Sequence, residues 1–583
     1  MTKKREAYIK LRNNPTSTHL KEDHRRIKTE LQRIVRHKKN EYWRSKAEEI
    51  QSMADQNNSR AFFQATKEIY GPTVLGQVPL KSKDGSRLLK TKAEISDRWQ
   101  EHFSELLNQD TTYDREILQV LPQHQVDDSM NRIPSLEEVK NAIHKMKSNK
   151  SAGPDGIPTE IYKYGGNLLQ YQLHLLIVKI WTTESIPLEL INADIVKIYK
   201  RKGDRGECGN YRGISLLSTA GKVLSGVINE RLKPLAEKVL PETQCGFRCN
   251  RGTSDMIFTI RQLQEKCREQ NKPLYMGFID LTKAFDTVSR ELLWEVLAKY
   301  GCPLKFIRMV KLMHVGMMAT VLDNDGGSEP FEVRTGVKQG CLKAATLFSI
   351  FIAVVMFIVA PRIPNQIEIR YRIDGKIFNL SRLKAKSKTS KTAIVEVQYA
   401  DDNGVAALNE ADLQTILNAF DYAYSKLGLK INTKKTEVIF QPAPDDNTRT
   451  PPNIILRDNV LKNVETFSYL GSVVSIHADI DAEIDQRLQK AAAAFGKLRK
   501  RVFEDPDIRT TTKIKVYRAI VLTSLLYASE TWTTYRKHLK KLERFHQRCL
   551  RKLLNIKWQD YISNLSVLER AGLTSIEAVI VKN

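Results

Sequence analysis

Ile394-Val395-Glu396-Val397-Gln398-Tyr399-Ala400-Asp401-Asp402-Asn403-Gly404-Val405-Ala406-Ala407-Leu408 is the stretch that decides how this chain is read. Two apolar runs flank a polar centre. The stretch is therefore predicted as a β-hairpin with its bend at Asp401-Asp402-Asn403-Gly404. Asp, Asn and Gly are ordinary turn residues, so turn chemistry alone explains the acidic pair. A second acidic stretch changes that reading. Leu274 to Ile279 is an apolar strand candidate that ends on a carboxylate, in Phe278-Ile279-Asp280-Leu281-Thr282-Lys283-Ala284-Phe285-Asp286. Three carboxylates at the ends of neighbouring strands can hold two Mg²⁺ ions roughly 4 Å apart. Mg²⁺ takes hard oxygen ligands and keeps some waters, so carboxylates plus substrate phosphates suffice.

Outward from these sites the chain alternates helices and strands. Leu136 to Met146 reads as a helix, closed by the loop Ser151-Ala152-Gly153-Pro154-Asp155-Gly156. Ala193 to Tyr199 reads as a strand. A loop with Lys200, Arg201, Lys202 and Arg205 follows, and helix resumes near Thr219. Ile367 to Leu380 alternates around Asp374-Gly375, a hairpin signal. After Pro451 two helical stripes emerge. One is Ile484, Leu488, Ala491, Phe495 and Leu498, flanked by Arg487, Lys490, Lys497, Arg499, Lys500 and Arg501. The other is Leu542, Phe545, Cys549 and Leu553, beside Lys541, Arg544, Arg548, Arg551 and Lys552. Residues 1 to about 60 are helical and basic, with Ile27, Leu31, Ile34 and Val35 on one face among Arg25, Arg26, Lys28, Arg33, Arg36, Lys38 and Lys39. A solvated helix face and a nucleic-acid-binding arm explain that segment equally well. The order of elements suits an α+β core with helical extensions on both sides.

The totals are consistent with this. The 583 residues suit two to four packed units, and 41% hydrophobic with 27% charged residues supply real cores. Lys and Arg number 93 against 67 Asp and Glu, and the excess of +26 is read as spread along the chain. Such a field attracts polyanions, nucleic acid first. Seven cysteines without a CxxC pair offer no zinc ribbon or redox motif and fit a reducing compartment. The apolar run Leu347 to Ala360 ends at Pro361 and is expected as a buried helix, not a membrane span.

Taken together, these motifs resemble the reverse transcriptase of non-LTR (LINE-type) retrotransposons, most closely the RTE-like group, from about Ser151 to about Tyr527. The resemblance implies a right-hand polymerase fold of fingers, palm and thumb. It divides the chain into a basic helical extension (1–130), fingers with the start of the palm (131–270), palm (271–445), and primer grip with helical thumb (446–583). Tyr399-Ala400-Asp401-Asp402 matches the family's YADD motif, and Asp280 matches the aspartate of its first catalytic motif. The resemblance thus makes Asp280, Asp401 and Asp402 the catalytic, metal-binding triad for two Mg²⁺ ions, with Mn²⁺ a substitute, while Asp286 is structural. Asn210-Tyr211-Arg212-Gly213-Ile214-Ser215-Leu216 resembles the fingers motif, giving Arg212 the incoming triphosphate with Lys200 as a lesser partner. A guanidinium binds phosphate through two parallel hydrogen bonds and stays charged. Thr335-Gly336-Val337-Lys338-Gln339-Gly340 resembles the motif that lies on template and nucleotide, placing Gln339 and Gly340 at the nucleotide site. Phe285 matches the steric gate against a ribose 2′-hydroxyl. Gly428-Leu429-Lys430-Ile431-Asn432 with Lys435-Thr436 resembles the next palm motif, bringing Lys435 to the nucleotide. Phe467-Ser468-Tyr469-Leu470-Gly471 resembles the primer grip, and the helices after about Ile484 resemble the thumb.

The implied activity is RNA-directed DNA synthesis from dNTPs, with an RNA template, a DNA primer or target, and no membrane. Location inside the cell, in nucleus or cytoplasm, is expected; oligomeric state is left open. The chain departs from the family's pattern at Ala345 and Cys249, where proline is usual, at Lys343, where an apolar residue is usual, and after Ile186-Pro187-Leu188-Glu189-Leu190, where tryptophan is often next. None of these removes an acidic ligand or Arg212. They support the alternative of a domesticated, catalytically weak copy that binds RNA or DNA. No signature of the family's N-terminal endonuclease or of a C-terminal zinc knuckle is found, so autonomous target-primed integration by this chain alone is not expected.

Overall fold

The computed structural model describes residues 2–56, 58–70, 79–110, 112–148, 150–323, 326–338, 340–364, 367–372, 389–446 and 450–582. Two compact units emerge. One comprises residues 76–465; the other joins residues 1–75 to 466–583.

Two sheets organise residues 76–465. The first is built on β1 (Ala193–Tyr199) and β2 (Tyr211–Leu217), an antiparallel pair in which Ile198 faces Arg212. The second is five-stranded. It contains β3 (Leu274–Ile279), while β4 (Met318–Asp323) belongs to the first sheet, parallel to β1. Next come β5 (Glu396–Tyr399), β6 (Asp402–Ala407), β7 (Glu437–Gln441) and β8 (Lys462–Asn463). The order is β5-β6-β3-β7-β8, antiparallel except for the last pair. The strands expected at Ala193–Tyr199 and Leu274–Ile279 are present as read. β3 is buried at nearly every residue because helices cover it, so it shows a continuous apolar run and no alternation.

The run at Leu347–Ala360 is the core of helix Leu342–Val359, which is long and apolar enough to cross a membrane. Leu347, Phe348, Ile350 and Phe351 are fully buried, packed against helices Thr219–Val239 and Glu410–Lys426 of the same unit. Interior packing therefore accounts for its apolar character. Lys343 is buried in this helix, as its sequence position suggests. Its Nζ lies 3.0 Å from Met313 Sδ, a weak acceptor, and burial pulls its pKa down to about 8.

Two expectations shift. The strand at Ile367–Arg372 pairs with Thr389–Ile394, so its partner starts well beyond the expected return strand; the Asp374-Gly375 bend lies outside the described residues. The acidic hairpin turns earlier than its composition suggests. Tyr399 pairs with Asp402, so the bend is Ala400-Asp401, and Asn403 and Gly404 sit inside the ladder. Gly404 is needed there for close packing: a Cβ would stand 3.1 Å from Val397 and 3.4 Å from the Phe278 ring.

The second unit has one core, shared by both chain ends. Trp43, Ile50, Phe62 and Ile69 pack with Ile484, Leu498, Tyr517, Leu542 and Val567. Its main helices are α1 (Thr18–Asp55), α2 (Asp481–Leu498), α3 (Thr510–Val516) and α4 (Arg536–Leu553). Both expected stripes face inward, though Leu488 is only partly covered. Cys549 and His546 are buried, and His546 Nδ1 pairs with the Tyr517 hydroxyl at 2.8 Å.

Candidate active site

The register of the five-stranded sheet brings the acidic stretches together. Asn403 faces Ile279 across β6 and β3, so one residue further on Asp402 comes level with Asp280. Asp401 occupies the turn beside them. Three carboxylates from two distant segments thus meet at one sheet end. Asp402 has its pKa pushed up to about 6, first by partial loss of solvent, then by the charges of Asp401 and Asp280; Arg212 acts in the opposite sense. Asp401 is raised by burial and by Asp280, again opposed by Arg212. Crowded carboxylates that resist ionisation form a site short of positive charge. Among the described residues no group of three Asp, Glu, His or Cys side chains is already closed around a metal position. The donor set nevertheless fits Mg²⁺: all oxygen, all anionic, and open to substrate oxygens.

Basic groups ring the acids. Lys435 Nζ lies 3.2 Å from Asp280 Oδ2. Lys200 donates to the Gly209 carbonyl at 2.9 Å, and its pKa is lowered by burial and by Lys283, Lys435 and Arg212. Arg212 is exposed on β2. Lys283 joins this group without having been assigned a role from sequence. It lies three residues past Asp280 with φ 48°, in a turn closed by the Asp286 amide donating to the Lys283 carbonyl at 2.9 Å. Its place in the quoted acidic stretch was the only signal for it.

Phe285 is held as one of three rings. It stacks on Phe348 with centroids 4.1 Å apart and meets Phe247 edge-on at 6.4 Å. Its carbonyl accepts from the Val337 amide at 2.8 Å, which ties the Thr335–Gly340 motif to the first acidic stretch. Gly340 lies against β2: at φ 108°, a Cβ would stand 2.7 Å from the Ser215 carbonyl oxygen. Gln339 lies outside the described residues. Lys338 is buried, donating to the carbonyls of Ile191 (3.0 Å) and Met313 (2.8 Å).

The support beneath the acidic turn was not legible in the sequence. Ala400 has φ 60°, a left-handed conformation that is costly for a residue with a Cβ. Gln244, 1% exposed, offsets that cost: its Oε1 accepts from the amides of Ala400 (3.1 Å) and Gly246 (2.7 Å). The Thr243–Cys245 segment runs parallel to β5. The Gln398 amide donates to the Thr243 carbonyl and the Cys245 amide to the Gln398 carbonyl, each at 3.0 Å. A Cβ at Gly246 would stand 2.4 Å from the Ala400 nitrogen, so only glycine permits this approach. On the far side, Asn403 donates to the Tyr424 hydroxyl at 3.2 Å.

Residues 198–474 match the reverse transcriptase (RNA-dependent DNA polymerase) family. The match contains every acidic and basic group just described. The chain is also similar to the RNA-directed DNA polymerase from mobile element jockey of Drosophila funebris, 25% identical over 73% of this chain and 44% of the relative. A Xenopus laevis protein of transposon TX1 is 26% identical over 53% of this chain and 22% of its own length. The Pol polyprotein of type-2 retrotransposable element R2DM from Drosophila melanogaster is 24% identical over 69% and 36% respectively. The chain thus spans less than half the length of these relatives.

Phe467, Tyr469, Leu470 and Gly471 belong to the other unit, in a hairpin of β9 (Thr466–Tyr469) and β10 (Ser472–Ser475) that turns at Leu470-Gly471. Arg487, expected on a basic flank, is instead buried beneath this turn. Its Nη2 donates to the Gly471 carbonyl, and its Nε pairs with Glu483 Oε1 at 2.5 Å. Lys490 also donates to Gly471, at 3.2 Å. A helix flank one turn from a hairpin packs against it, which periodicity along the helix does not reveal. Arg551 is likewise engaged, by the Ile562 carbonyl and Asn564. Lys541 pairs with Asp485, and with Arg544 and Arg548 it lies along a groove of about 510 Å³ between α2 and α4, with Leu488 and Phe545 on its floor.

Proposed function

We propose that this chain is an RNA-directed DNA polymerase of non-LTR retrotransposon origin, of the RTE-like group. The convergence of Asp280, Asp401 and Asp402 beside Arg212 carries this reading. In the proposed fold the five-stranded sheet is the palm, β1 and β2 belong to the fingers, and α2 and α4 to the thumb. Mg²⁺ ions held by the three aspartates, or Mn²⁺ in their place, would acidify the primer 3′-hydroxyl and neutralise the triphosphate and leaving pyrophosphate. Arg212, Lys200, Lys283 and Lys435 draw in and orient the triphosphate. Gly340, with Gln339, lets the nucleotide lie close to β2. Phe285, braced by Phe348 and Phe247, forms a rigid wall against a ribose 2′-hydroxyl. Phe467 to Gly471 hold the primer end, and Lys541, Arg544 and Arg548 contact hybrid phosphates without reading sequence. RNA template, DNA primer and dNTPs are the partners, and the site of action is within the cell, in nucleus or cytoplasm.

The test is primer extension on RNA by the purified chain with Mg²⁺. Asp401→Ala is expected to lower incorporation by about a thousandfold or more, the scale of losing charge stabilisation at the reacting phosphate. Activity surviving that change rejects the site. Phe285→Val is expected to admit ribonucleotides; unaltered dNTP over rNTP selection in the same assay would return Phe285 to a purely structural role. No departure from the family's pattern touches these groups, so nothing specific favours a non-catalytic copy.

A further inference from the structure

The polymerase site leaves a large share of the chain's charge without a task. Residues 1–44 hold fourteen Lys and Arg against five Asp and Glu, so they carry +9 of the net +26, a less even spread than the composition suggests. Most of these cations lie on α1, which buries only Trp43, Ala47 and Ile50. Its earlier turns stand clear of the core, with Ile34 49% exposed.

A segment of the same unit, residues 505–515, lies along those turns. Arg36 donates to Asp507 at 2.8 Å, and Lys39 to Asp505 and Asp507 at 3.3 and 3.1 Å. Asn40 donates to the Asp507 carbonyl at 2.9 Å and accepts from the Arg509 amide at 2.8 Å and the Thr512 hydroxyl at 3.2 Å. These bonds fix two walls of a groove of about 800 Å³. Arg33, His37 and Arg44 line one wall, Arg509 and Lys515 the other, with Lys515 paired to Glu48 at 2.7 Å. From Arg33 to Arg44 the helix extends roughly 16 Å. The acidic groups in the groove are already engaged: Asp507 by Arg36 and Lys39, Glu41 by His37 at 3.3 Å. Arg33 and Arg509 have no carboxylate within ion-pair distance among the described residues. Two facing basic walls, pinned in place by a few acids that they outnumber, form a built polyanion site, whereas a solvated helix face has only one wall.

The lining limits the ligand further. No Phe, Tyr or Trp is among the lining residues, and the His37 ring is held by Glu41, so bases find little to stack on and the contacts fall on the backbone. The exposed Thr511 hydroxyl adds a neutral donor and acceptor between the cations, while Asn40 and the buried Thr512 are spent on the bonds that fix the walls. A ribose 2′-hydroxyl both donates and accepts, and can use such a group where a deoxyribose cannot. We propose that this groove binds the sugar–phosphate backbone of single-stranded RNA, as a second nucleic-acid site separate from the polymerase centre.

The test uses the full chain and a labelled, unprimed, mixed-sequence RNA, titrated across salt with excess unlabelled RNA–DNA hybrid present. Arg33→Gln, Arg44→Gln and Arg509→Gln combined are expected to weaken RNA binding at least tenfold. They should also flatten the log–log salt dependence by about 2, at ~0.7 per lost single-strand phosphate contact. The matching triple Arg→Lys variant should bind nearly as the parent does, and extension of a short primed template should be unchanged in both. Unaltered affinity and salt slope in the Gln variant would overturn the proposal. So would loss in the Lys variant, which would make the residues structural, and so would single-stranded DNA competing as well as RNA. A chain that incorporates no dNTP under any metal yet loses RNA affinity in the Gln variant would remove the polymerase reading and leave the groove standing.

Discussion

Two hairpins, β5–β6 and β9–β10, each involve a buried glutamate, and they use it in opposite ways. Beneath β9–β10, Glu483 is ionically paired with Arg487 and accepts from the Val473 amide at 2.6 Å. In β5 itself, Glu396 has no cation at ion-pair distance among the described residues. One oxygen accepts from the Thr243 hydroxyl at 2.8 Å, the other has no partner among the described residues, and burial pushes its pKa up to about 7. The turns themselves are gripped from opposite ends as well. Gly471 offers a carbonyl to basic side chains, while Ala400 offers an amide to the neutral Gln244. The difference follows from what each turn carries. Asp401 and Asp402 already crowd one another and Asp280, and the neutral Gln244 amide that holds their turn adds no further charge to oppose their ionisation. The β9–β10 turn carries no charge of its own and tolerates an ion pair below.

The largest effect is expected from Arg487→Ala. It strands Glu483, which is fully buried, without its cation, and should cost about 3–5 kcal/mol of stability. Chemical denaturation reads this directly. A loss under 1 kcal/mol would mean that the pair is dispensable, and the contrast between the two hairpins would fall.

Next is Gln244. Gln244→Met keeps the side-chain volume but leaves two buried amides unbonded, about 1–3 kcal/mol of local cost. Because those amides set the acidic turn, kcat for dNTP incorporation should drop roughly 10–100-fold with little change in hybrid affinity. Gln244→Glu retains the acceptor and should recover part of kcat. Equal kcat in parent and Met variant would show that the turn holds itself.

Glu396→Gln should be the one stabilising change, and its size depends on pH. The folded pKa of Glu396, about 7, lies above the ordinary 4.5, so folding favours the neutral form. That contribution is complete below pH 4.5 and is lost as pH rises through 7. Gln keeps the neutral form at every pH, so the variant should match the parent at pH 4 and exceed it by about 3 kcal/mol at pH 8. A parent whose stability rises between pH 5 and 8 relative to the variant would contradict a neutral Glu396.

Much of the site was legible because its parts are local. Apolar runs ending in acids, at Ile279-Asp280 and Tyr399-Ala400-Asp401-Asp402, signal strand ends whatever surrounds them. The helical stripes at Ile484–Leu498 and Leu542–Leu553 follow the same logic, since periodicity is a property of neighbours in sequence. The bend of the acidic hairpin was misplaced by two residues because turn composition cannot show that Gly404 is needed inside the ladder beside Phe278. Lys343 stands out in sequence as an intruder in an apolar helix, but only the fold reveals Met313 Sδ as its hydrogen-bond partner.

The sequence by itself determined which residues are acidic, basic or apolar at each strand end and helix face, because those patterns repeat over two to four positions. Tertiary structure decided which of them meet. It joined Trp43 and Ile50 to the core of the C-terminal helices, turned Arg487 inward, and slid Gln244 under Ala400 from more than 150 positions away. Such pairings depend on which surfaces fit when distant segments pack together, and no period along the chain encodes that fit.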